Sequence, residues 1–214
     1  MFRPDQPRHY EEVYAGLAAR LAALDLRWLA DGLGAKYDYE QKALLIPSFG
    51  KLYRVTSEGV SDFKGLLPPI DIRIVLAYYV LHGGTAELSG QWVSYREFKG
   101  AAFFMTTYQD LVERPIAESF CHRLDALETC SQLLGGQKLS ELATGDLCYR
   151  YPALPNLPLA LIFYDADEEL PASATVLYDQ HSTFFLDLEC LAVLGLILKD
   201  HLLEAQAQLA ANPL

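Results

Sequence analysis

Two stretches of the chain carry residue types that can do chemistry. The first is acidic: Asp165, Asp167, Glu168 and Glu169 crowd one turn, and Asp179 and His181 follow the next apolar run. If the runs flanking the turn pair as a hairpin, Asp165 and Asp179 fall near one open end or on adjacent rungs, with His181 just beyond. Crowded carboxylates raise one another's pKa, and a divalent cation relieves them. Asp165, Asp167, Asp179 and His181 are therefore candidate metal ligands or a general acid/base set. Their spacing matches neither an EF-hand loop nor a zinc-protease helix. The competing reading is a solvated hairpin turn whose charges protect a sheet edge.

The second stretch is GQWVSYREF, where Trp92, Tyr95, Arg96 and Glu97 combine aromatic surface with a fixed cation. Arginine grips a carboxylate or phosphate through two N–H donors, and Trp or Tyr stacks on a planar ligand. These four residues are candidates for binding a small anionic, aromatic molecule. The alternative is a strand that buries Trp92 and Tyr95 in the core and pairs Arg96 with the acidic turn.

Other chemistry is thinly represented. There is no GxSxG nucleophile elbow, and the GxG of GLGAKY lacks the later glycine and preceding strand of a nucleotide fingerprint. Cys121, Cys130, Cys148 and Cys190 form no CxxC pair, so the sequence specifies no cofactor and the thiols read as reduced and mostly buried. His82 suits the carboxyl end of a helix dipole better than a ligand role.

Charge narrows the partners. With 28 acidic against 17 basic residues the formal charge is −11, which opposes binding to nucleic acid or an anionic membrane surface. The amino-terminal segment has no signal-like apolar core, and CLAVLGLIL is too short to span a bilayer. The expectation is a cytoplasmic protein whose partner is a small ligand or another protein.

These candidate sites must be held by a single domain, because 214 residues suit one core that hides roughly 70% of the unfolded surface. Residues 1–34 read as a helical segment: a stripe of Val13, Leu17, Leu21 and Leu24, then a short helix capped by Asp25. AKYDYE, ALLIPSFG and KLYRVTSEG read as two or three antiparallel strands. PPIDIRIVLAYYVLHGG is a helix entered through proline and closed by glycine. SGQWVSYREF reads as extended, with Trp92, Ser94, Arg96 and Phe98 on one face. A helix capped by Thr106 or Thr107 should be interrupted at Pro115. A second helix should run from Ile116 to Leu134 on the stripe Ile116, Phe120, Leu124 and Leu127. LSELA suggests one helical turn, and LCYRYPALPNLP an extended approach. LPLALIFYD and ATVLYD are buried strands, and LDLECLAVLGLILKDHLLEA is the helix packed on them, with 205–214 as a fraying tail. Phe184, Phe185, Leu188, Leu191, Leu194 and Leu198 belong to its core face. The order of elements predicts an α+β fold with a mostly antiparallel sheet packed against helices.

Four of these segments, LADGLGAKYD, SGQWVSYREF, DADEELPASATVLYD and FFLDLECLAVLG, resemble in order and spacing an uncharacterised family of anaerobic bacteria and archaea, a domain of unknown function. Some relatives look like fusions to a small cluster-binding domain similar to that of corrinoid/iron–sulfur proteins. The resemblance therefore implies work near anaerobic corrinoid or one-carbon metabolism. This chain has no clustered cysteines, so such a link would run through a partner or a bound ligand. Taken together, the residues and the resemblance imply a non-enzymatic ligand-binding or accessory protein, with a metal-assisted enzyme as the alternative.

Overall fold

The computed structural model describes residues 7–83, 86–140 and 144–211. Helix α1 (Pro7–Ala22) buries Tyr10, Tyr14, Leu17 and Leu21, a stripe one step away from Val13 and Leu24, which stay partly exposed. Asp25 caps the short 3-10 turn Leu26–Leu29 by accepting the Arg27 N–H. A four-stranded antiparallel meander follows: β1 (Lys36–Asp38), β2 (Ala43–Ser48), β3 (Lys51–Thr56) and β4 (Gly59–Asp62). The β2–β3 turn places Phe49 and Gly50 both at positive φ, +47° and +75°, the geometry of a two-residue hairpin loop. That turn drives the Phe49 ring into the interior, and its N–H donates to Pro152 C=O at 2.9 Å, joining the two sheets.

Helix α2 (Ile70–His82) packs on α1, on β4 and on the long carboxyl-terminal helix. The second sheet has the order β5 (Trp92–Ser94), β9 (Ser173–Asp179), β8 (Leu157–Tyr164), β7 (Leu147–Leu154), β6 (Gln137–Lys138), again antiparallel throughout. The approach to β8 is thus itself the long strand β7. The LSELA turn falls partly on residues 141–143, outside the described residues.

Between β5 and β6 the chain makes α3 (Met105–Tyr108), a π-turn (Gln109–Glu113), α4 (Arg114–Phe120) and α5 (Leu124–Leu133). Pro115 lacks an N–H and would clash with the carbonyl four residues earlier, and the wider π-turn ends just before it. A single helix over 116–134 does not form. Cys121, His122 and Arg123 break it, with His122 in the left-handed region at φ +57°.

Helix α6 (Leu188–Ala211) is the element around which the others pack, touching α2, α4, α5 and the π-turn. Leu191, Leu194 and Leu198 are fully buried, each contributing about 2–3 kcal/mol by removal from water. Phe184 departs from the expected stripe: it is 60% exposed, because the 3-10 turn Ser182–Phe184 turns it outward. Gly195 is required by close approach, since a Cβ there would lie 2.4 Å from the Tyr108 hydroxyl and 2.7 Å from that of Tyr178. Those two hydroxyls bond each other at 2.8 Å, and Tyr178 donates to Leu191 C=O at 2.9 Å, tying α3 and β9 to α6. The fold is a compact α+β domain with two antiparallel sheets. Among the described residues no helix is long and apolar enough to cross a membrane.

Candidate functional site

The Trp92–Glu97 segment is extended only as far as Ser94 and then turns. Glu97 Oε1 accepts both the N–H and the hydroxyl of Ser94, at 2.8 Å each, and this Ser-x-x-Glu closure starts the 3-10 turn Tyr95–Glu97. Those hydrogen bonds also hold the Glu97 carboxyl below its usual range. Tyr95 is only 2% exposed, stacks on Tyr108 at 4.4 Å between ring centres, and donates to Leu188 C=O. It is part of the core. Trp92 is half-buried on β5 and Arg96 is exposed. Among the described residues, no ion pair joins Arg96 to the acidic turn. The segment thus leaves Trp92 and Arg96 accessible and commits Tyr95 and Glu97 to the fold.

The acidic residues are pulled apart by the strand register. Tyr164 pairs with Ser173 and Leu159 with Tyr178, so Asp165 and Asp179 stand at opposite ends of the hairpin, seven residues or about 23 Å apart. The expected convergence of Asp165, Asp167, Asp179 and His181 therefore does not occur. Asp167 closes its own turn, accepting the N–H groups of Glu169 and Leu170, which hold its carboxyl below the usual range. Asp179 is buried and saturated: it accepts from Ser89 N–H and Oγ, Gly90 N–H and His181 N–H at 2.8–3.0 Å. Burial opposes its ionisation, yet these donors outweigh it and lower its pKa. His181 donates Nδ1–H to Glu87 C=O at 2.9 Å. Asp179 and His181 together pin the segment before β5 to the end of β9.

Convergent titratable groups occur elsewhere, in a cavity of about 760 Å³. Its walls come from β3, the loop 62–69, the first turn of α2 and the outer half of α6. Asp62 shapes the loop by accepting the N–H groups of Lys64 and Leu66. Arg54 donates to Phe63 C=O and lies 4.9 Å from the Phe63 ring centre, anchoring the lip. Phe63, Leu66 and Leu67 are largely exposed there, and Leu67 shows 74% of its surface.

The polar floor is made by Tyr53, Asp71 and His201. Burial pushes the Asp71 carboxyl up and the nearby Asp200 adds to this, while the Ile72 N–H and Lys199 counteract it. Burial raises Tyr53 to about 12, helped by Asp71, Asp62 and Glu204, so its hydroxyl stays a donor. His201 is buried against the edge of Phe49, 5.7 Å between ring centres, and its Nε2 has no hydrogen-bond partner. Burial and the Lys51 charge lower its pKa to about 4, so the imidazole is neutral. At the rim, Lys51 pairs with Glu204 at 3.4 Å. Asp62, Asp71, Asp200 and Glu204 face the cavity against Lys51 and Lys64, leaving it acidic. The arrangement can hold a compact cation or hydrogen-bond donor at its floor and an apolar group at its lip.

None of the cavity's floor residues was a sequence candidate. In the sequence, Asp71 is one acid in a helix's first turn and His201 one position within an apolar helix. The one legible signal was the Asp200, His201, Glu204 spacing on the last helix, which puts three titratable groups within one turn.

His82, expected as a charged helix cap, has its pKa lowered by burial and by Arg20, which lies 3.2 Å from its Nε2. The carboxyl end of α2 is instead closed by the Gly83 N–H on Tyr79 C=O.

Among known families, the model of the domain of unknown function DUF3786 matches residues 25–200. No curated protein and no solved structure matches the chain.

Proposed function

The chain belongs to the DUF3786 family, and we propose that this member is a ligand-binding protein whose site is the acidic cavity between loop 62–69, α2 and α6. The observation that carries the reading is the half-buried Asp71 carboxylate in a cavity also lined by the neutral His201 and the Tyr53 hydroxyl. A carboxylate taken out of water needs a compensating charge, and a cationic ligand supplies it. The ligand is accordingly a small amine with an apolar body, its ammonium on Asp71 and its apolar part under Phe63, Leu66 and Leu67. This differs from the anionic, aromatic ligand that Trp92 and Arg96 suggest, because the structure spends Tyr95 and Glu97 on folding.

The setting is part of the same proposal: a cytoplasmic accessory protein, near corrinoid or one-carbon chemistry in an anaerobe. The family resemblance supports the metabolic setting, and four cysteines that form no disulfide support the compartment.

The test is a thermal-shift and native mass-spectrometry screen of alkyl and arylalkyl amines against carboxylates of the same carbon skeleton. Amines should raise the melting temperature and be retained one per chain, and Asp71→Asn should remove the effect. A preference for the carboxylates, or an amine shift unchanged in Asp71→Asn, would sink the proposal.

A further inference from the structure

The break between α4 and α5 brings together three ligand types that the sequence separates. Sγ of Cys121, an imidazole nitrogen of His122 and a carboxylate oxygen of Asp165 all lie within 4.8 Å of one another. The link is held in place by the carboxylate itself. Asp165 Oδ1 accepts the His122 N–H at 2.7 Å and the Ala166 N–H at 2.9 Å. The Asp165 N–H in turn donates to Asp146 Oδ2 at 2.7 Å, which fixes the start of the 165–172 turn. His122 Nδ1 stands 3.9 Å from Asp165 Oδ1, and the His122 side chain is 72% exposed, free to turn about its own bonds. Cys121 is half-buried and forms no disulfide.

The geometry points to a binding site for one borderline-soft divalent cation, Zn²⁺ or its neighbours Fe²⁺ and Co²⁺, held by Cys121, His122 and Asp165. Metal–ligand bonds of about 2.0–2.3 Å put tetrahedral ligands about 3.3–3.7 Å apart, so ligand atoms that lie within 4.8 Å of one another need to draw together by about 1 Å to close the set. Thiolate and imidazole select against Mg²⁺ and Ca²⁺, which take oxygen ligands. Three protein ligands leave a fourth position open to water or to an incoming molecule. None of the three residues lines the acidic cavity, so this site is independent of the amine proposal.

The experiment titrates the metal-stripped full chain with Co²⁺ and follows the near-ultraviolet thiolate-to-cobalt charge-transfer band. The band should saturate at one Co²⁺ per chain and collapse on adding Zn²⁺. Cys121→Ser should abolish it, and His122→Gln and Asp165→Asn should each weaken binding at least tenfold. Asp165→Asn retains an acceptor for the His122 N–H, and His122→Gln changes a mostly exposed side chain, so metal-free melting of these two variants checks that the fold is kept. No band in the wild type, or a band that persists in Cys121→Ser or at full strength in His122→Gln, would overturn the assignment.

Discussion

Glu113 and His201 are both buried, and burial drives each towards its neutral form with opposite consequences for pH. Glu113, at the end of the π-turn, accepts the Val176 N–H at 3.1 Å where β9 runs past the last rung of β5. Burial raises its pKa from 4.5 to about 7, with the Val176 N–H and Arg96 opposing. The folded state then holds a proton that the unfolded chain releases, so stability falls as pH rises from about 4.5 to 7. His201 runs the other way: its folded pKa of about 4 lies below the ordinary 6.5, so stability falls as pH drops from 6.5 to 4. Each shift corresponds to about 3 kcal/mol. Urea melts across pH should show Glu113→Gln gaining on the wild type between pH 5 and 8. His201→Leu should gain between pH 6.5 and 4. A constant difference at all pH values would mean that neither group is held neutral.

At the scale of elements, the link between α4 and α5 is where local strain and the metal site coincide. A left-handed conformation costs a residue with a Cβ about 1–2 kcal/mol, and glycine adopts it freely at some entropic loss. His122→Gly should therefore raise metal-free stability by about 0.5–1 kcal/mol in denaturant melts while losing the Co²⁺ band. Equal or lower stability would show that the His122 side chain contributes to the fold. This break was not legible in the sequence because the apolar stripe Ile116, Phe120, Leu124 and Leu127 continues across it, and no glycine marks the left-handed residue. Helices α2 and α6 and the β8–β9 hairpin were legible, since their apolar runs are long and closed by proline, glycine or an acidic turn. Strand β4, four residues beginning at Gly59, was too short to carry a pattern. The Ser94–Glu97 closure was written as Ser-x-x-Glu, yet the alternating side chains of 92–98 suggested a longer strand. The cavity was the least legible feature: Asp71 and His201 are 130 positions apart, and only the packing of α2 on α6 brings both to one cavity.

For the whole molecule, the first sheet, the loop 62–69, α2 and α6 enclose an acidic cavity with an apolar lip, and the proposed ligand-binding role rests on that feature. The acidic surface, −11 in formal charge, favours approach of a cation over an anion. The most direct measurement is nuclear magnetic resonance of the isotope-labelled full chain titrated with the tightest amine from the screen. Amide and imidazole shifts should concentrate on Tyr53, Phe63, Leu66, Asp71 and His201, and they should saturate at one amine per chain. Shifts centred on Trp92 and Arg96, with the cavity residues unmoved, would contradict the account and return the ligand to the β5 segment.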